Sequence, residues 1–243
     1  MSNPADTGVP RSLATAQWRG RALRGVLFDL DGTLLDTAAD IARALNKTIG
    51  ERGWPALPVG DVARMIGRGS PILIERAAVA LGKPLVAADH VAMVERFFEF
   101  YGGLEEANES DAMAYPDVAS TLRIVHEAGL ATAVVTNKQK RFAEALLQRL
   151  DLAGWIDLVV GGDTCERRKP DPQPLLFACA TLGLAPEQTL MVGDSVNDVR
   201  AARAAAIPVV CVPYGYNEGQ DPASLACDAL LGTLADLPPL LWA

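Results

Sequence analysis

Hydrophobic and polar residues follow two rhythms along this chain. "LRGVLFDL" (residues 23–30) is a short, bulky, apolar run with an aspartate at its end, and that pattern predicts a buried strand. From Thr37 to about Gly103 apolar positions instead recur at helical spacing. "DIARALNKTIGERG", "SPILIERAAVALG" and "DHVAMVERFFEFYGG" each close on glycine, a common helix terminator. Asp40, Ser70 and Asp89 stand where N-caps are expected, and Pro71 suits the first helical turn. After Tyr115-Pro116 the two rhythms alternate: helix in "DVASTLRIVHEAG", strand in "LATAVVTN", helix in "KRFAEALLQRLDL", strand in "WIDLVVGGD". The alternation continues through "PQPLLFACATLG", "TLMVGD", "VNDVRAARAA" and "IPVVCVPYG".

Short apolar strands separated by helices predict βαβ units and a parallel sheet covered on both faces. The expected fold class is therefore α/β, a Rossmann-like doubly wound parallel sheet interrupted after its first strand by an all-helical insert. The expected organisation is an α/β core domain over 23–36 and 112–243, the helical insert over 37–111, and a disordered tail over 1–22.

Bulk composition narrows the partners. Half of the 243 residues are hydrophobic and the formal net charge is −8. That balance argues against nucleic acid, whose binders carry basic stripes, but leaves room for a small anion at a locally positive site. No apolar run reaches membrane-spanning length, and residues 1–20 lack the apolar core of a secretory signal. The expectation is a soluble cytoplasmic protein, monomer or homodimer. Cys165, Cys179, Cys211 and Cys227 are widely spaced and form no CxxC pair, as expected of reduced thiols. His90 and His126 make no metal-ligand pattern.

Ligands of such sheets bind at the carboxyl ends of the strands, and the residues placed there carry chemistry. "VLFDLDGTLLDT" sets Asp29, Asp31 and Asp36 within eight residues. Burying carboxylates is costly without a cation or hydrogen bonds to compensate, and Asp29 and Asp31, two apart, face one way on an extended backbone. Later strands end in Thr136-Asn137-Lys138, in Gly161-Gly162-Asp163 ahead of Lys169, and in Gly193-Asp194-Ser195 with Asp198 one turn on. Asp29 and Asp194 suit a hard cation such as Mg2+, which keeps several waters beside one or two carboxylates. The Thr136 hydroxyl, the Asn137 backbone N–H and the Lys169 ammonium suit a phosphate. An aspartate can attack phosphorus, and a carboxyl two residues later can serve the leaving group as general acid. Asp36 reads as a cap for the helix that follows.

These residues resemble the haloacid-dehalogenase superfamily of aspartate-nucleophile hydrolases in four separated motifs: "DLDGT" from Asp29, "VVTN" ending at Asn137, "KPDP" from Lys169 and "GDSVND" from Gly193. The resemblance implies Asp29 as nucleophile and Mg2+ ligand, and Asp31 as general acid/base and metal ligand through its carbonyl. It implies Thr136 and Asn137 as phosphate binders, Lys169 as the neutralising lysine and Asp194 as a further ligand. Asp198 then either holds a metal-bound water or Lys169, or serves as a helix-N-terminal acid. The acid at Asp31 favours phosphate over halide chemistry, because expelled halide needs no proton, and the helical insert is similar to a small cap domain.

"MIGRGSPILIERA", "KPDPQPL" and "VPYGYNEG" are similar to bacterial phosphoglycolate phosphatases, which implies a Mg2+-dependent phosphatase acting on 2-phosphoglycolate through an aspartyl-phosphate. Alternatives are a phosphatase for a sugar phosphate or pyrophosphate, a β-phosphoglucomutase-like phosphomutase, and a metal-binding module without turnover. Two positions depart from that pattern: Arg68 stands where an amide is more usual, and Asp117 where glycine is. Arg68, bracketed by Gly67 and Gly69, is either a receptor for a substrate carboxylate or a solvated surface residue.

Overall fold

The computed structural model describes residues 15–242. Most of the expected N-terminal tail, residues 1–14, lies outside them. Order begins before residue 23. Strands β1 (Gln17–Trp18) and β2 (Arg21–Ala22) pair antiparallel across Arg19 and Gly20, both at positive φ, the conformation of a tight hairpin turn. The expectation of a tail to residue 22 missed this because the apolar anchors are single residues: Ala16, Trp18 and Leu23 are buried against the core.

The apolar run becomes β3 (Gly25–Phe28), buried along its length. Next come β4 (Leu35–Asp36) and four helices, α1 (Ala38–Gly50), α2 (Val59–Ala63), α3 (Ser70–Ala80) and α4 (Ala87–Glu106), and then β5 (Met113–Ala114). The chain continues through α5 (Val118–Glu127), β6 (Ala131–Val135), α6 (Lys140–Arg149), β7 (Leu158–Val160) and α7 (Gln173–Leu182). It finishes with β8 (Thr189–Gly193), α8 (Val196–Ala204), β9 (Val209–Cys211), β10 (Ala229–Leu230) and α9 (Leu237–Leu241).

Six strands form one sheet in the order β10-β9-β8-β3-β6-β7, every pairing parallel. Alternation along β3 divides the core. Val26 and Phe28 pack with Leu122 of α5, Leu146 of α6 and Leu237 of α9, while Leu27 packs with Leu175 of α7 and Val199 of α8. Both faces are covered, which is why these strands are apolar throughout. Chain order reverses around β3, so the switch point where ligands bind falls at Asp29.

Helices α1 to α4 bury a separate cluster around Leu45, Ile74, Phe97 and Tyr101. The chain enters and leaves them through β4 and β5, paired antiparallel with Leu35 opposite Ala114. The three expected N-caps are displaced: Asp40 and Asp89 lie inside first turns, and Ser70 follows the capping Gly69. Asp40 is instead buried and accepts hydrogen bonds from the backbone N–H groups of Asp111 and Ala112 and from Ser110. The four cysteines are free thiols. Among the described residues no helix is long and apolar enough to cross a membrane.

Candidate active site

Asp29 extends β3 by one residue, its N–H donating to Val192 of β8 at 2.9 Å. Its Oδ1 accepts from the Leu30 N–H at 2.7 Å and from Lys169 Nζ at 2.8 Å. The same ammonium lies 2.7 Å from Asp198 Oδ1, and Lys169 is buried. Asp198 Oδ2 accepts from the Ser195 hydroxyl at 2.7 Å and from the Ser195 N–H at 3.1 Å, at the start of α8. One oxygen of Asp198 thus meets the lysine, and the other takes the Ser195 donors at the start of α8.

Asp194 follows β8, the strand beside β3. Its oxygens accept from the Thr33 hydroxyl at 3.1 Å and from the Tyr216 N–H at 2.7 Å. Gly32 makes that approach possible: its φ is +89°, and a Cβ there would lie 2.5 Å from Asp194 Oδ2. Carboxylate oxygens of Asp29, Asp194 and Asp198 all lie within 4.8 Å of one another. Burial and then the charge of Asp198 push Asp29 well above the usual carboxylate range, with Lys169 opposing. The same two causes push Asp194 up to about 7. Three buried carboxylates thus face one ammonium, and Asp194 has no ion-pair partner among the described residues. An all-oxygen, over-negative cluster of this kind fits a hard divalent cation.

Asp31 does not join this cluster. The chain turns after Asp29, with the Leu30 carbonyl accepting from Thr33, Leu34 and Leu35, so the extended geometry that would align the two side chains is lost. Asp31 Oδ1 instead accepts from the Thr37 hydroxyl at 2.6 Å and from Lys138 Nζ at 3.0 Å. Both aspartates still line one cavity, which also takes in Thr136 and Asn137 beyond β6 and the glycines at 67 and 69. Asn137 Nδ2 donates to the Gly67 carbonyl of the helical segment and to the Lys169 carbonyl, each at 2.8 Å. One amide thereby joins three parts of the chain.

Arg68 is not among the residues lining the cavity. Its backbone approaches through Gly67 and Gly69, both at positive φ, but its guanidinium turns to Glu218, with Nε 3.0 Å from Oε1. Arg76 holds the other oxygen of Glu218 at 2.8 Å. Three participants were not anticipated. Lys138 directly follows Thr136-Asn137 and could have been weighed with them. Tyr101 is indistinguishable in pattern from a core aromatic. Glu218 lies in an irregular loop within the VPYGYNEG stretch, where nothing in the pattern marks its side chain as the partner of Arg68.

A family profile described as haloacid dehalogenase-like hydrolase matches residues 26–212. A phosphoglycolate phosphatase of Nitrosospira multiformis is 40% identical over 220 residues, covering 90% of this chain and 96% of that protein. The phosphoglycolate phosphatase of Escherichia coli is 37% identical over 235 residues, covering 90% and 92%. The crystal structure of a "predicted phosphoglycolate phosphatase" from Haemophilus somnus is similar with a TM-score of 0.82 at 30% identity, over 90% of this chain and 97% of the other.

Proposed function

The chain belongs to the haloacid dehalogenase-like hydrolases, and we propose that it hydrolyses 2-phosphoglycolate to glycolate and phosphate through a phosphoryl-Asp29 intermediate. The observation that carries this reading is the Asp29 carboxylate, fixed at the end of the central strand by Lys169 within a buried, over-negative cluster. The named relatives support the choice of ester.

In the first step an Asp29 oxygen attacks phosphorus and the bond to the ester oxygen breaks. Asp31, as the acid, gives its proton to the departing alkoxide. In the second step Asp31 takes a proton from water, whose oxygen attacks the acyl phosphate, releasing phosphate and restoring Asp29. Lys169 offsets negative charge on the transferring group, and the Thr136 hydroxyl and the Asn137 N–H donate to its oxygens. Asp29, Asp194 and the Asp31 carbonyl would hold Mg2+, which would supply further charge neutralisation at the transferring phosphoryl group. Residues 37–111 act as a cap that excludes water from the core domain formed by 23–36 and 112–243. The enzyme works in the cytoplasm on a small phosphorylated metabolite.

A panel of phosphate esters scored by kcat/KM, with and without chelator, tests this. Phosphoglycolate should rank first, and turnover should vanish with chelator and return with Mg2+. Asp29→Asn should fold normally and lose essentially all turnover. Near-native activity in that variant rules out the covalent route.

A further inference from the structure

With the phosphate assigned to the strand ends, the cavity has few polar groups left for the rest of the substrate. Its remaining wall is mostly apolar, with Ile41, Leu73 and Phe97 contributed by the helices and Ser70 and Gln139 as uncharged polar residues. Two further polar side chains stand together, one of them charged. Tyr101 also lines the cavity; it is 2% exposed, its phenol oxygen is buried beside the Lys138 ammonium, and no acceptor for its proton lies in hydrogen-bonding geometry. Lys138 Nζ lies 4.6 Å from the centre of the Tyr101 ring and 3.0 Å from Asp31 Oδ1.

A buried hydroxyl whose proton finds no acceptor costs about 1–3 kcal/mol, so a cavity-lining donor of this kind points to a ligand acceptor. The ring cannot swing away to find another partner: it stacks on Phe97 with centroids 5.9 Å apart and meets Phe142 edge-on at 5.0 Å. Burial pushes the phenol up to about 12, so it keeps its proton and can donate. Burial works against the Lys138 ammonium, but the adjacent Asp31 charge holds it above its usual range. An ammonium has three donors, and Asp31 accepts one of them.

We propose that Tyr101 and Lys138 together receive the substrate's carboxylate, selecting phosphate esters that carry an acid on the carbon next to the ester oxygen. The inference rests on the phosphoglycolate reading and names the residues that enforce it. Charge-assisted hydrogen bonds from a lysine and a phenol recognise an anion, while the apolar side chains of Ile41, Leu73 and Phe97 offer nothing to the hydroxyls of a sugar phosphate. Arg68, engaged by Glu218, is left out of this recognition.

The test compares phosphoglycolate with 2-hydroxyethyl phosphate, which lacks the carboxylate, in wild type, Tyr101→Phe and Lys138→Met. The ratio of kcat/KM for the two esters should fall in Tyr101→Phe by roughly tenfold to a hundredfold, the range for a hydrogen bond to a charged group. It should fall further in Lys138→Met. Calorimetry on the Mg2+-loaded enzyme with 3-phosphonopropionate and propylphosphonate should show the same loss of preference, a readout that a merely structural role does not move. A wild type that does not distinguish the two esters overturns both the substrate reading and this inference. A selective wild type whose selectivity survives Tyr101→Phe overturns this inference alone.

Discussion

Asp194 is held by three neutral donors, the Thr33 hydroxyl and the backbone N–H groups of Tyr216 and Asn217, while the charges of Asp29 and Asp198 lie close by. Without a cation this arrangement works against the folded state, since buried like charges raise its free energy. Asp194→Asn should therefore stabilise the chelated protein, by ~1 kcal/mol or more, and cost it the stabilisation that Mg2+ gives wild type through binding. Thermal melts of both proteins with chelator and with Mg2+ check this, and a variant destabilised in both conditions contradicts it. At this scale the sequence was informative where chemistry and topology coincide. Asp29, Thr136, Asn137 and Asp194 could be placed because each stands at the end of a recognisable strand, and Lys169 because it opens the KPDP motif in the loop after β7. Tyr101 could not, because burial as core and burial beside a cavity leave the same helical periodicity. The guanidinium of Arg68 escaped for another reason: its direction is set by Glu218, 150 residues away.

Between residue and domain, the junction of the helical segment with the sheet is a set of short-range ties. Strands β4 and β5 lie side by side. Asp40 of α1 accepts from Ser110, Asp111 and Ala112, while Arg149 of α6 donates to Ser110 and to the Ala112 carbonyl, each at 2.8 Å. The return connector is thus gripped from the helical segment on one side and from the sheet's own helix on the other. Asp40→Ala would leave buried donors unpaired and should destabilise by about 2–3 kcal/mol, whereas Asp40→Asn, which keeps an acceptor oxygen, should lose less. Urea unfolding measures both, and equal losses would mean that volume rather than hydrogen bonding matters at this position. The longer helices were legible from their apolar spacing, and so were the major strands, whereas α2 and α9, five residues each, were not. β4, β5 and β10 were not, being two residues long, too short for alternation to register. Asp40 was misplaced as a cap because an acid near a helix start reads the same whether it caps that helix or ties down a connector from a distant part of the chain.

Across the whole molecule, one loop after β9 links the parts that must act together. Tyr216 donates its N–H to Asp194 and its hydroxyl to Asp36, and that hydroxyl accepts from the Thr37 N–H where the chain enters α1. Two residues on, Glu218 takes hydrogen bonds from Arg68 and Arg76 of the helical segment and from Asn197 of α8. Burial pushes the Glu218 carboxyl upward, yet hydrogen bonds from Arg76 and Asn197 and the charges of Arg76 and Arg68 outweigh it and hold the group below its usual range. A depressed carboxylate contributes stability above its unfolded value and loses it as pH falls through the folded one. The stability gap between wild type and Glu218→Gln should accordingly be open at neutral pH and close on acidification through and below the ordinary glutamate range. In kinetics the loss should fall on the closed state. With two guanidiniums released from their shared acceptor, the cap holds substrate less well, and kcat/KM for phosphoglycolate should drop about threefold to thirtyfold, as expected when one hydrogen-bonded charge contact is lost. Because the loop also carries donors to Asp194, the apparent affinity for Mg2+ distinguishes two origins of that drop. Affinity within twofold of wild type places the defect in cap closure. Weakened metal binding means that Glu218 acts by holding the loop against Asp194, and the latch between the two parts of the chain is then not its role.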